Sequence, residues 1–348
     1  MRSERPKPLH RLCGQPMVTY VLDALAELPV DRVVVVVGHR SEAVTKALVD
    51  RASTSSRLEF VEQSPQRGTG DAVAVALTGL PLEDEDGDVV VLPGDTPLLR
   101  PPTLAALVRH HRSTGAGATV LTAQVADPAG YGRVIRRPDG LVTRIVEDLD
   151  ATGDERAVTE VSTSIYCFRR SLLAPSLRRL SPKNAQGEYY LTDVIGVLSA
   201  AGYPVQTVTV DDPMETAGVN DRAQLAVAEA ELRDRINERW MRRGVTMWDP
   251  ERTYIDASVT LRPDVTLLPG VVLRGACDVG HGAELGPDSM LVDTTVGAGA
   301  QVRHSVCVDA VIGSGAQVGP FAYLGPGAVV DDGATVPPFT SLPLRQGA

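Results

Sequence analysis

From residue 255 onward an aliphatic side chain returns at every sixth position: Ile255, Leu261, Leu267, Leu273, Val279, Leu285 and Leu291. After a break, with Val296 and Val302 in a shifted frame, the period resumes at Ile312, Val318, Leu324, Val330 and Val336. An α-helix repeats near 3.6 residues and an ordinary strand near two, so neither keeps these side chains on one side. A period of six suits a parallel β-helix of hexapeptide rungs, with each aliphatic pointing inward and small or turn residues at the corners. Glycine often follows the aliphatic, as in Val279-Gly280, Leu285-Gly286, Val296-Gly297 and Ile312-Gly313. A chain of 348 residues with 32 glycines, 25 prolines and only 4% aromatics has the composition such a turn-rich repeat needs.

The N-terminal part, to about residue 215, has another texture. Val33–Val37 and Val89–Leu92 are β-branched runs bounded by glycine and charge, the pattern of strands buried on both faces. Between such runs lie helical spacings, as in Val18, Val21, Leu22 and Leu25. Strands alternating with helices predict an α/β domain with a mostly parallel sheet, whose ligand sits beyond the carboxyl ends of the strands. A helix near 217–242 should join the two regions. Its stripe is Leu225, Ala228, Leu232, Ile236 and Trp240, with Asn237, Glu238 and Arg239 facing away.

Charge and cysteine usage narrow the partners. The formal charge is −10 and no Lys/Arg-rich block stands out, which argues against nucleic acid. Cys13, Cys167, Cys277 and Cys307 form no C-x-x-C pair and no metal spacing with histidine, as expected of a reduced cytoplasmic protein. Apolar runs such as Val33–Val37 are too short for a bilayer, and the first ten residues lack the apolar core of a signal peptide.

Three short motifs carry candidate chemistry. Val89-Val90-Val91-Leu92-Pro93-Gly94-Asp95 is a strand ending in a turn and a carboxylate. Such an aspartate either caps the turn or holds a divalent ion against phosphates. Gln63, followed by Gly68-Thr69-Gly70, offers an amide for a base edge and a loop open to close approach, or else is a plain loop. Lys7, between Pro6 and Pro8, either neutralises a phosphate or faces water.

In this order, with Gly94-Asp95-Thr96-Pro97-Leu98, Gly130-Tyr131-Gly132-Arg133, Ile145-Val146-Glu147, the block Asn184-Ala185-Gln186-Gly187-Glu188-Tyr189-Tyr190-Leu191-Thr192-Asp193, and Gly218-Val219-Asn220, the motifs match a known pattern. The chain resembles, over nearly its whole length, the bacterial bifunctional N-acetylglucosamine-1-phosphate uridylyltransferase/glucosamine-1-phosphate N-acetyltransferase family. The resemblance implies a Rossmann-like nucleotidyltransferase domain over 1–216, a connector over 217–250 and a short left-handed β-helix over 251–348. It implies UTP and N-acetylglucosamine 1-phosphate as substrates, in-line attack on the α-phosphorus, and release of pyrophosphate. By residue it implies that Lys7, Gln63, Gly68, Thr69 and Gly94 meet the nucleotide, with Lys7 on the triphosphate as the catalytic group. Gly132, Glu147, Ser162 and Thr192 would meet the sugar, and Asp95 and Asn220 would hold Mg2+. A homotrimer built through the β-helix is also implied.

The chain departs from the family pattern in three ways. Met1 aligns with the last residue of the family's phosphate loop, Leu-Ala-Ala-Gly-x-Gly-Thr-Arg-Met. Ser162 stands where the family has a sugar-binding asparagine, and Gly325, in Leu324-Gly325-Pro326-Gly327, where it has an arginine. The rungs with the family's catalytic histidine would lie past Ala348, with Pro337-Pro338 and Arg345 reading as a terminal cap. The resulting expectation is a chain shortened at both ends that makes a UDP-sugar without acetyl transfer. The alternatives are an impaired paralogue that binds sugar nucleotides or assembles with a partner, and a nucleotidyltransferase for another sugar phosphate.

Overall fold

The computed structural model describes residues 1–38, 41–49, 57–80 and 87–342; Arg345 lies outside them. The chain divides into two units, Met1–His10 with Met17–Asp221, and Arg11–Pro16 with Arg222–Ala348. The division differs from the expected boundaries at two places. Residues 217–221 stay with the first unit because the Val219 N–H donates to the Asp95 carbonyl at 2.9 Å. The hairpin Arg11–Leu12/Gln15–Pro16 belongs to the second unit, where the Cys13 N–H donates to the Glu229 carboxylate at 2.8 Å.

In the first unit, β1 (Arg32–Val37) and β2 (Arg57–Glu62) pair in parallel. A six-stranded sheet holds β3 (Asp88–Val91), β4 (Ala118–Gln124), β5 (Gly132–Arg136), β6 (Val142–Val146), β7 (Glu160–Arg169) and β8 (Val205–Thr209). The α/β class stands, but this sheet is mixed rather than mostly parallel. Only β8 on β4 is parallel, while β7 runs antiparallel to β3, β4 and β5. One antiparallel pair has a local cause: β5 turns straight back into β6 through Pro138-Asp139-Gly140, with Gly140 at φ 84°, and so tight a return forces those two strands into opposite directions. Val33–Val36 and Val89–Leu92 are half-buried rather than fully covered, Val37 alone of the two runs being buried, and among the described residues β1 pairs only with β2 and β3 only with β7.

Alternation along the central strands feeds two cores. Ala118, Val120, Tyr166 and Phe168 pack with Leu173, Val194 and Ile195 of the helices Arg170–Leu177 and Asp193–Ala200. Leu121, Ile165 and Cys167 pack against Leu104, Leu107 and Val108 of the helix Pro101–Thr114. Helices therefore cover both faces. Midway along β7, Ser164 adopts the left-handed φ of 60°, and the ladder to β4 slips there. Beyond that irregularity one edge of β7 serves two partners: Tyr166–Arg169 pair with β3, and Val161–Ser162 with β5.

The second unit is a parallel β-helix, consistent with the left-handed form, built of three sheets of six, six and five short strands. Leu267 pairs with Leu285, Leu273 with Leu291 and Val279 with Val296, so each inward aliphatic stacks on its counterpart one coil away. The break in the period has a simple resolution. Cys307, fully buried, is the inward residue between Val302 and Ile312, and three edges of the prism are one residue short. Glycine after the aliphatic is also explained. A Cβ on Gly280, Gly297 or Gly313 would lie 2.6, 2.4 or 2.5 Å from the backbone of the next coil.

The helix Arg222–Arg242 packs on the strand Tyr254–Ile255 of this prism, with Ala228, Leu232, Ile236 and Trp240 buried. Asn237, expected to face water, is buried. Its amide donates to the carbonyls of Pro250 and Thr253 at 2.9 and 3.0 Å, satisfying backbone that the packed helix shields from water. Among the described residues no helix is long and apolar enough to cross a membrane.

Candidate functional site

Asp95 lies four residues past the carboxyl end of β3, with Gly94 before it; a Cβ on Gly94 would meet nothing within 4 Å. The next helix takes Arg100 as its N-cap, so Asp95 is not a capping residue. Its carboxylate forms an ion pair with the Lys7 ammonium, which also donates to Asn220 Oδ1 at 2.6 Å. The Pro6-flanked turn Lys7–Leu9 and the Gly218-Val219-Asn220 loop thus bring residues 88 and 213 positions apart in sequence from Lys7 onto one point. Two hard oxygens converge on the Lys7 ammonium. One carboxylate and one amide are too few to enclose a divalent ion, but they suit magnesium, which completes its shell with phosphate oxygens and water. Among the described residues no group of three His, Cys, Asp or Glu side chains forms a metal cage.

Gln63 leaves the end of β2, and its N–H donates to the Val37 carbonyl at 2.9 Å. Its side-chain amide donates to the Gly68 carbonyl at 3.1 Å and to Asp71 at 2.8 Å. Together with Arg67, these donors hold the Asp71 carboxyl below its usual range against a burial that would raise it. Gln63 therefore shapes the 63–70 loop from within. Gly68, at φ 107°, has to be glycine, because a Cβ would lie 2.7 Å from the Tyr189 carbonyl. The Gly70 N–H donates to that same carbonyl at 2.8 Å, Tyr189 N–H donates to the Arg67 carbonyl at 2.8 Å, and Leu191 N–H donates to Thr69 Oγ1 at 3.0 Å. Residues 67–70 and 189–191 form one clasp.

The 184–193 block follows from this geometry. The Asn184 side chain accepts the N–H groups of Gln186 and Glu188, Gly187 sits at φ 68°, and the Tyr190 hydroxyl donates to Gln186. The block ends on Thr192, whose hydroxyl donates to Glu147 Oε1 at 2.9 Å. Burial pushes the Glu147 carboxyl above the ordinary range, the Thr192 bond opposes this, and the neighbouring Asp193, Asp150 and Asp148 add to it. A Cβ on Gly132 would come 2.9 Å from Ile145 and 3.5 Å from Glu147. Gly132 pairs with Ser162 across β5 and β7, and the Ser162 hydroxyl shares a 3.1 Å hydrogen bond with that of Tyr166.

The structure thus gathers Lys7, Asp95 and Asn220 in one cluster, Gln63, Gly68 and Thr69 in a second, and Gly132, Glu147, Ser162 and Thr192 in a third, with Gly94 beside the first. Thr69 and Thr192 link the last two through the clasp. Sequence reading missed Tyr166, Asp150 and Asp193 at the third cluster. Asp193 is itself raised by burial and by Asp150, and Asp150 accepts the Ala185 N–H at 2.9 Å. The acidic run Glu147-Asp148-Leu149-Asp150 was the available signal. Asp148 points elsewhere, taking the Gly130 N–H and pairing with the buried Arg133 at 2.8 Å.

Residues 1–193 match the MobA-like NTP transferase domain, so the α/β unit that carries these side chains is a nucleotidyltransferase domain. The second unit narrows the class. The chain is 44% identical over 346 residues to the bifunctional protein GlmU of Desulfitobacterium hafniense, covering 99% of this chain and 74% of that protein. It is 43% identical to that of Shouchella clausii, over 98% of this chain and 74% of the relative. For Mycolicibacterium vanbaalenii the figures are 47%, 94% and 66%. The chain belongs to the bifunctional GlmU family and is a nucleotidyltransferase.

Proposed function

We propose that the protein transfers a uridylyl group from UTP to N-acetylglucosamine 1-phosphate, giving UDP-N-acetylglucosamine and pyrophosphate. The observation that carries this reading is the convergence of Asp95 and Asn220 on a cation at the end of β3. Asp95 and Asn220 would hold Mg2+, which, when bound, offsets charge on the nucleotide phosphates. Lys7 adds a second positive charge against the triphosphate. Gly94, bare on the side where a Cβ would point, lets the nucleotide approach the backbone, and the clasp fixes Gly68 and Thr69 beside the base and ribose. Gln63 supports the base through the loop it holds. Glu147, with Gly132, Thr192 and Ser162, would hold the sugar hydroxyls. Such a transfer needs alignment and charge neutralisation, and no side chain has to act as nucleophile. The test is pyrophosphate release from UTP with a series of sugar 1-phosphates; no release with any of them at millimolar magnesium sinks the reading.

One observation favours a different sugar phosphate: Ser162 presents a hydroxyl already bonded to Tyr166. Faster release with glucose 1-phosphate than with the N-acetylated sugar would establish that alternative.

We also assign the second unit to assembly rather than to acetyl transfer. Gly325 offers no guanidinium for a sugar phosphate, His281 is bonded to the Pro263 carbonyl at a corner, and His304 stacks on Phe321. One outer face carries Val272, Met290, Val292, Val306, Val308 and Tyr323, with Arg274 as its one charged member among these strands, whereas another carries Thr266, Glu284, Gln301, Gln317 and Thr335. A homotrimer through the apolar face fits this asymmetry, and a monomer by light scattering at micromolar concentration contradicts it. The four cysteines are buried and free, which suits the cytoplasm.

A further inference from the structure

The Lys7 ammonium lies between the two oxygens, Asp95 Oδ2 and Asn220 Oδ1, that the metal reading assigns to a divalent cation. An ammonium and a divalent cation repel each other and cannot share these two oxygens at once. The residue type fits a stand-in. The chain has 34 basic residues but only three lysines, Lys7, Lys46 and Lys183. A compact ammonium fits between two close oxygens where a planar guanidinium, with donors spread over a fork, does not. The notch is also held from behind, since the Val219 N–H donates to the Asp95 carbonyl at 2.9 Å and keeps the asparagine loop against the aspartate turn. The Lys7 side chain remains about a third exposed, so it has a path out.

We propose that Lys7 and the divalent cation are alternative occupants of the Asp95–Asn220 notch. Without metal the ammonium keeps the two ligands facing each other. When the cation enters it displaces Lys7, whose charge then becomes available to the phosphates that complete the metal's shell. Lys7 is on this account both a phosphate contact and a positioning residue for the metal ligands. The inference rests on the metal reading above and makes a prediction opposite in sign to a merely structural role. A ligand that must first expel an occupant binds with its affinity reduced by the fraction of open notch.

The experiment uses the full chain without nucleotide and reads free Mn2+ by electron paramagnetic resonance. Lys7→Met should bind Mn2+ about tenfold more tightly than the wild type, because the competitor is gone, whereas a purely supporting lysine would leave affinity unchanged or lower it. Asp95→Asn should abolish binding. Unchanged or weaker binding by Lys7→Met, with Asp95→Asn still inactive for Mn2+, overturns the exchange and leaves the metal site standing. Binding by Asp95→Asn equal to the wild type overturns the metal reading itself, and the exchange with it. A second measurement needs no variant: acetylation of the wild type by an activated ester, followed per lysine by mass spectrometry. Saturating Mn2+ should speed modification of Lys7 several-fold relative to Lys46 and Lys183; equal rates with and without the ion overturn the proposal.

Discussion

The β-helix and the α/β unit are built by opposite routes. In the β-helix each inward side chain touches its counterparts one coil before and after, so Leu267, Leu285 and Val302 form a column dictated by a local period. In the α/β unit the decisive contacts join distant segments, such as Lys7 with Asn220 and Thr69 with Leu191. The lesson is that glycine means different things in the two regions. Gly297 is required by the coil above it, which leaves no room for a Cβ, whereas Gly94 has open space where a Cβ would go. One glycine serves packing and the other serves approach.

The sharpest way to break this contrast is at Asp95. Asp95→Ala should lower turnover by about a thousandfold, the scale of losing one preorganised charge contact to a reacting phosphate, while leaving thermal stability nearly unchanged. Steady-state pyrophosphate release and a melting curve on the same sample check both halves. Leu285→Ala should do the reverse. It empties a fully buried position in the prism, costing about 3 kcal/mol in denaturant unfolding, with KM for UTP unchanged.

The glycine pair sharpens the comparison at smaller amplitude. Gly297→Ala forces the Ser314 backbone to shift and should cost about 1–3 kcal/mol, as overpacking does. Gly94→Ala should leave stability within about 0.5 kcal/mol and instead weaken UTP binding, measured by calorimetry. Equal stability losses at the two positions would erase the distinction.

A pH series gives the smallest effect. Because burial, more than its neighbours, holds Glu147 above the ordinary carboxyl range, the folded protein keeps that proton where the unfolded chain has lost it. Stability from this group is full below the ordinary glutamate range and declines as pH rises through the raised value. Glu147→Gln removes that decline, so the two melting temperatures should converge at acid pH and separate, with the variant higher, toward neutrality. Parallel curves would show that Thr192 and solvent compensate the burial completely.

The repeat in the prism could be read off the chain because a rung's inward residue is set by spacing alone. Ile255 to Leu291 pair in the register that the period implies. Where spacing lapsed, so did the reading: Cys307 is an inward residue that falls outside a frame of six. The site residues were legible as motifs, but the reason for several of them was not. Gln63 bonds its own loop, and Asn184 and Gly187 shape a turn, so the longest diagnostic block is in large part a structural device for placing Thr69, Leu191 and Thr192.

The sequence by itself determined the two textures, the prism of six-residue rungs, the α/β class and the side chains at the ends of β2 and β3. These follow from local rules, in which period and composition decide which side chains face the core. Only the tertiary structure decided that β7 runs against three neighbours, that Arg11–Pro16 joins the second unit, that Asn237 is buried, and that Lys7 stands between Asp95 and Asn220. Each of these depends on a partner far away in the chain. A hydrogen bond or ion pair at long sequence separation leaves no periodic trace in either segment, and it becomes visible only when the chain has brought the two together.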